Sequence, residues 1–364
     1  SHMPNSWTGI KPLTPEGRIF NNAEMNQISN EVQQRYNLKR PVSPPENLGK
    51  TGKKRILDDA HKTYIDALSK QYRTLFDDDL SQLDIVVDPG NAAGMLSLPQ
   101  TLSDLGATVR TIHDDVRKNP ERSLEPNKNT LGALEEAVQT YNADLGLATD
   151  GDADRVVAVN ERGSMIPGSQ SLALLGEEYV KQGERGIACS VDTSSYVQDV
   201  IEEQGGRVEW TPLGAVFTAL TCLEEDFRFG GQPNGHMMDT AFTPYDSGSG
   251  EGTKLAGLLA KYEASASQLQ QRLPEQHVRN ESIRTPNQYK AGLMDQVRSY
   301  VRKNYEVLSE KDGVKARSPN GEFTVRPSGT EPVIRVTTGS ENPEGAEYLM
   351  QELTNQVATY TRNG

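Results

Sequence analysis

Between two short apolar runs, Leu145-Gly146-Leu147-Ala148-Thr149 and Val156-Val157-Ala158-Val159, stands the hexapeptide Asp150-Gly151-Asp152-Ala153-Asp154-Arg155. The flanks read as strands, so the carboxylates occupy a tight loop leaving a strand. Alternation lets a curled loop turn three hard oxygen donors toward one point, an arrangement suited to Mg²⁺, which takes a few carboxylates and completes its octahedron with phosphate or water. An EF-hand is the competing pattern, with Asp150, Asp152, Asp154 and Glu161 at its positions 1, 3, 5 and 12. That loop needs glycine at position 6, where Arg155 stands, and helical flanks where these are strand-like.

Around this loop, strand-like and helical segments alternate, which predicts an α/β class with helices on the faces of each sheet. With 364 residues the chain is long enough for several domains. Residues 1–50 hold a hairpin around Pro15-Glu16-Gly17, a helix with Met25, Ile28 and Val32 at helical spacing, and a proline-rich linker at 40–45. They are expected to be the back part of an α/β domain. Residues 51–162 and 163–275 are expected to be two α/β/α three-layer domains with mixed sheets, related by duplication. In the first, a helix over 55–72 carries a stripe of Ile56, Leu57, Tyr64, Ile65 and Leu68, and strand 84–88 follows. In the second, helices near 169–182 and 194–204 bracket a strand at 187–191, and a polar, glycine-rich stretch runs to Gly252. Residues 276–364 read as a C-terminal α+β domain, with strands at 322–325 and 333–336 and helices over 290–302 and 343–362.

The net charge of −13 argues against nucleic acid and anionic membranes as partners. No apolar run approaches the ~18 residues of a membrane span. Two cysteines, Cys189 and Cys222, are too few for a disulfide framework and fit a reducing, cytoplasmic setting. An anionic small molecule would therefore need a local basic pocket in an acidic body.

Arg326-Pro-Ser-Gly-Thr-Glu-Pro-Val-Ile-Arg335 supplies one. Arg326 and Arg335 offer guanidinium forks for a phosphate, Ser328 and Thr330 offer hydroxyls, and Gly329 allows close backbone approach. In Gly231-Gln-Pro-Asn-Gly-His236, Gln232 and Asn234 can turn two amides toward sugar hydroxyls, and His236 can act as acid or base. Ser1-His2-Met3 admits two readings, a cloning remnant or the tail of a nucleophile loop with Ser1 as phosphoryl acceptor.

Taken together, these stretches resemble the α-D-phosphohexomutase family, which includes phosphoglucomutase, phosphomannomutase and phosphoglucosamine mutase. The landmarks arrive in order over essentially the whole chain: a serine loop, DGDADR at 150–155, a sugar loop, and RPSGTEPxxR at 326–335. Asp88-Pro89-Gly90-Asn91 and Glu125-Pro126 also look like the family's second domain. Family members read T-A-S-H-N-P at the serine, then N-G-x-K. Here Ser1-His2-Met3-Pro4 precedes Thr8-Gly9-Ile10-Lys11 in the same register, and the family's preceding segment implies an N-terminal truncation. Two departures fall in the sugar loop, where Gln232 replaces the family's Glu and Asn234 its frequent Ser.

The resemblance implies a hexose 1-phosphate/6-phosphate isomerase working through a phosphoserine and a bisphosphorylated sugar, with hexose 1,6-bisphosphate as activator. Implied roles are Ser1 as carrier with His2 beside it, Lys11 and His236 in proton handling, and Asp150, Asp152 and Asp154 holding Mg²⁺. Arg326, Ser328, Gly329, Thr330 and Arg335 would hold the idle phosphate, Gln232 and Asn234 the sugar, and Arg155 the metal loop or a phosphate. The last domain is expected to close over substrate, the assembly to be a monomer or homodimer, and the first-domain part to expose apolar surface and aggregate. A non-catalytic phosphosugar-binding protein and a magnesium-dependent sugar phosphatase are the rival readings.

Overall fold

The computed structural model describes residues 10–15, 17–37, 57 and 59–363. Ser1, His2, the proline-rich linker and Ile56 lie outside them. Leu13 pairs with Ile19 across the expected hairpin, and α1 (Asn22–Asn37) follows. Ile10, Val32 and Tyr36 are exposed.

A first sheet is built from β1 (Asp84–Asp88), β2 (Thr108–Thr111), β3 (Leu145–Thr149) and β4 (Val156–Asn160) in the order β2-β1-β3-β4. Only the β3–β4 pair is antiparallel. Ile85, Val86 and Val87 are all buried, as a central strand covered on both faces requires. Helices α2 (Ala60–Tyr72) and α3 (Leu98–Asp104) pack on one face with Ile85, Val87, Leu145 and Leu147, while α4 (Gly132–Tyr141) covers Val86 and Ala148 on the other. The stripe expected on α2 is only partly realised. Leu57 precedes the helix and is exposed, whereas Ile65 and Leu68 are buried together with Gln71 and Tyr72.

The second sheet repeats the plan. After α5 (Gly168–Lys181) come β5 (Gly186–Ser190), α6 (Tyr196–Glu203), β6 (Arg207–Thr211), α7 (Ala215–Glu225), β7 (Phe229–Gly231) and β8 (Met237–Asp239), with sheet order β6-β5-β7-β8. Again only the last pair is antiparallel. Kinship invisible as a sequence repeat is therefore explicit in topology. Helix α8 (Gly248–Tyr262) begins inside the polar, glycine-rich stretch and carries Leu255, Leu258 and Leu259, and α9 (Ala266–Gln270) follows. One apolar core runs continuously from the first sheet through α8 and α5 into the second.

The third sheet comprises β9 (His277–Arg284), β10 (Glu306–Ser309), β11 (Val314–Ser318), β12 (Gly321–Pro327) and β13 (Val333–Ser340), all antiparallel in the order β10-β11-β12-β13-β9. Helices α10 (Asn287–Asn304) and α11 (Pro343–Asn363) complete a core separate from the other two sheets'. Its link to the second unit is polar. Lys315 Nζ donates to Thr193 O at 2.7 Å, Thr324 Oγ1 to Val191 O at 3.1 Å, and Arg317 pairs with Asp199 at 3.0 Å. Among the described residues, no helix is long and apolar enough to cross a membrane.

Candidate active site

The carboxylate loop leaves β3 and returns into β4, a reversal that needs Ala153 in the left-handed region at φ 59°. Asp150, Asp152 and Asp154 each offer an oxygen within 4.8 Å of the others. Asp150 is buried, and burial, then Asp154 and Asp152, push its carboxyl up to about 7. Burial acts against the charge of Asp154 too, but His236 and Lys11 outweigh it and hold that carboxyl below its ordinary range. Asp150 Oδ2 and Asp154 Oδ1 are buried without a hydrogen bond. Converging hard oxygens with unfilled lone pairs fit a divalent cation better than they fit one another. The ammonium of Lys11 already lies 2.6 Å from both Asp152 Oδ2 and Asp154 Oδ2, and 3.0 Å from the Tyr245 hydroxyl. Against the cost of burial, those partners raise its pKa and keep it protonated.

The loop at 231–236 joins this centre to the second sheet. Val156 N donates to Gly235 O at 3.1 Å, and Arg155 bridges to His236. Gly235 has φ 95°, and a Cβ there would stand 2.6 Å from Val156 O, so only glycine admits this approach. His236 Nε2 accepts from Arg155 Nε at 2.9 Å, which places the neutral ring's proton on Nδ1. That nitrogen lies 3.1 Å from Asp246 Oδ2 and 3.7 Å from Asp154 Oδ1. Arg155 is itself buried and also reaches Glu125 at 3.2 Å.

Gln232 is buried, its Oε1 accepting from Gly214 N at 3.3 Å while Nε2 has no partner. Asn234 Oδ1 accepts from His236 N at 3.3 Å, so part of its capacity shapes the loop. Pro233 lines a cleft of about 620 Å³ whose other wall carries Arg326 and Arg335. These two arginines are direct cross-strand partners on β12 and β13, a placement that sets like charges side by side at a cost in stability. Arg335 pairs with Glu331 and keeps a buried Nε without a partner. Ser328 Oγ accepts from Glu331 N at 3.1 Å and Thr330 N at 3.4 Å, curling the segment between the strands. A Cβ at Gly329 would meet no described atom within 4 Å.

Sequence reasoning missed four residues that shape the centre. Asp246 is buried, with Oδ2 facing His236 Nδ1 and Oδ1 lacking a hydrogen bond, and burial raises its pKa. Tyr245 touches Lys11, and Arg122 Nη2 donates to Thr149 O at 2.8 Å while Nε holds Asp88 at 2.8 Å. Lys290 sits under the 328–331 segment. All four act across the fold, and none belongs to a motif with local spacing.

Comparison with known proteins gives matches over most of the chain. Family models for phosphoglucomutase/phosphomannomutase match in succession: α/β/α domain II at residues 62–163, α/β/α domain III at 167–277, and the C-terminal domain at 282–356. A probable phosphoglucosamine mutase of Methanosarcina acetivorans is 30% identical over 97% of this chain and 77% of its own length. Among solved structures, a phosphoglucomutase/phosphomannomutase family protein from Burkholderia thailandensis shares the fold with a TM-score of 0.77, at 19% identity over 92% of this chain and 70% of that one. An N-acetylphosphoglucosamine mutase of Aspergillus fumigatus, solved with GlcNAc-6P and magnesium, gives 0.59 at 15% identity over 82% of this chain and 70% of its own. Three consecutive domain matches and a relative aligned along nearly the whole chain establish that it belongs to the phosphoglucomutase/phosphomannomutase family, the isomerases known as α-D-phosphohexomutases.

Proposed function

We propose that this chain interconverts hexose 1-phosphate and hexose 6-phosphate, with glucose, mannose or glucosamine phosphates as the substrate class. The observation that carries the reading is Arg326 set in register against Arg335, with a buried guanidinium donor open, across a cleft from the loop that reaches the carboxylate triad. Two like charges held side by side are stabilised by a dianion between them. The open space at Gly329 serves the same end, since the protein itself would tolerate a side chain there.

Asp150, Asp152 and Asp154 would hold Mg²⁺, which when bound supplies charge neutralisation and Lewis acidity at a phosphoryl oxygen. Ser1, outside the described residues, would carry the phosphoryl group, with His2 beside it. In the transfer, the bond from Ser1 Oγ to phosphorus breaks as one from a sugar hydroxyl oxygen forms, and that hydroxyl's proton must leave. Lys11, which its carboxylate partners keep protonated, would give a proton to the departing Ser1 Oγ and take one back from the sugar hydroxyl. His236, whose Nε2 accepts from Arg155 and whose Nδ1 faces Asp154 at 3.7 Å, would share the proton handling. Gln232 and Asn234 would contact the sugar, and Arg326, Ser328, Gly329, Thr330 and Arg335 the idle phosphate. Division into parts at 1–50, 51–162, 163–275 and 276–364 belongs to the same reading.

The test incubates the protein with Mg²⁺, glucose 1,6-bisphosphate and a hexose 1-phosphate, following product identity and the intact mass. Isomerised sugar phosphate, with one phosphoryl group mapped to Ser1, is expected. Free phosphate would assign a phosphatase instead. No turnover, with binding retained, would assign a phosphosugar-binding protein. Substituting Asp154→Asn should abolish turnover and weaken Mn²⁺ binding, read by electron paramagnetic resonance, at least tenfold.

A further inference from the structure

The segment joining β12 to β13 has to present donors outward to an anion, yet each peptide unit also carries an acceptor. A carbonyl oxygen aimed at a phosphate would repel it, so the inward placement of these oxygens matters as much as the outward placement of the guanidinium groups. Their destination is Lys290, on the first turns of α10. This lysine is 9% exposed. Its ammonium donates to Ser328 O at 2.6 Å and to Glu331 O. The same two residues fix the other side of the loop, since Glu331 N and Thr330 N both donate to Ser328 Oγ. The strand ends are closed by Ser328 N donating to Val333 O at 3.0 Å and by Thr285 N, just ahead of α10, donating to Pro332 O at 2.7 Å.

We infer that Lys290 is a positioning residue for phosphate recognition: its buried ammonium ties down the carbonyls of Ser328 and Glu331 so that the loop's remaining donors face the cleft. It rests on the reading of Arg326–Arg335 as a phosphate site. An apolar side chain in its place would free Ser328 O outright and leave Glu331 O held by Val333 N alone, at 2.9 Å. Its positive charge beneath the loop adds to the attraction from Arg326 and Arg335 above. The ligand is the phosphate of a monoester, whatever sugar bears it.

The experiment measures binding of glucose 6-phosphate and, separately, inorganic phosphate by calorimetry, together with hydrogen exchange of the 328–333 segment. Variants are Lys290→Met, Lys290→Gln and Arg326→Ala. Lys290→Met should weaken both ligands about tenfold and accelerate exchange in 328–333 while α10 keeps its protection. Lys290→Gln, which retains a donor for one carbonyl, should lose about threefold, and it decides the matter if the Met variant does not fold. Unchanged affinity in the Lys290 variants alongside a loss in Arg326→Ala overturns the role of Lys290 and leaves the phosphate site standing. Unchanged affinity in Arg326→Ala overturns the phosphate site itself, and the inference with it.

Discussion

Ala153 is the residue at which the metal loop stores strain. Its left-handed backbone at φ 59° costs an ordinary residue about 1 kcal/mol, and three contacts hold it there. Ala153 N donates to Asp150 O at 3.3 Å, Gly248 N to Ala153 O at 2.9 Å, and Arg155 N to Asp150 Oδ1 at 3.2 Å. Replacing Ala153 by Gly removes the penalty while loosening the unfolded chain by about 0.4–1 kcal/mol, so a net stabilisation of no more than about 0.5 kcal/mol is expected in urea denaturation. A loss of stability would show that the methyl group packs. At this scale much was legible: alternating carboxylates and a donor-rich segment between two arginines declare their chemistry through local spacing. Asp246, Arg122 and Lys290 do not, because each meets its partner only after the chain has folded.

Helix α8 shows why elements were harder to read. Its first turns, Gly248-Ser-Gly-Glu-Gly252, have a composition that argues for loop. Gly248 nevertheless lies so close to the metal loop that a Cβ would fall 2.3 Å from Arg155 O, and a Cβ at Gly252 would meet Val156 Cγ2 at 3.1 Å. Close packing, rather than turn formation, selects glycine here. Ser247 caps the helix by accepting from Gly250 N. Helix α7 was missed for the opposite reason, since its run of Ala, Val, Phe and Thr suits a buried strand as well as a helix. Deeper along α8, Lys254 anchors a buried network: Asp239 accepts from it at 3.0 Å, from Tyr179 at 2.6 Å and from Gln71 at 2.6 Å, and pairs with Arg228 at 2.9 Å. Burial pushes the Asp239 carboxyl up, but Lys254, Arg228 and Tyr179 prevail and hold it below the ordinary range. A depressed carboxylate contributes stability above its unfolded value of about 3.9 and loses it as pH falls through the lower folded value. Asp239→Asn should therefore cost about 3 kcal/mol at neutral pH and flatten the decline in stability below about pH 4. Urea titrations at a series of pH values check both, and an unaltered acid limb would remove Asp239 from the account.

Across the whole molecule, two sheets share one core and the third has its own. The joint is a polar seam, in which Glu322 accepts from Ser195 N and from Lys315 Nζ, the latter at 3.2 Å, and Lys315 also stands 4.9 Å over the Trp210 ring. Truncating Glu322 to Ala leaves a buried ammonium short of a partner, a loss of about 2–4 kcal/mol at the seam. Scanning calorimetry should then show the C-terminal unit melting separately at lower temperature, with a larger radius of gyration in solution scattering. A single unchanged transition would contradict it. Such a seam, unlike a fused apolar core, can be re-cut without repacking side chains. Exchange of the segment after Pro274 with that of a related chain would carry the Arg326–Arg335 pair whole onto another carboxylate loop, provided the few seam partners travel with it. The architecture is in that sense divisible, and the stretch between α9 and β9 is where a chimera would be cut.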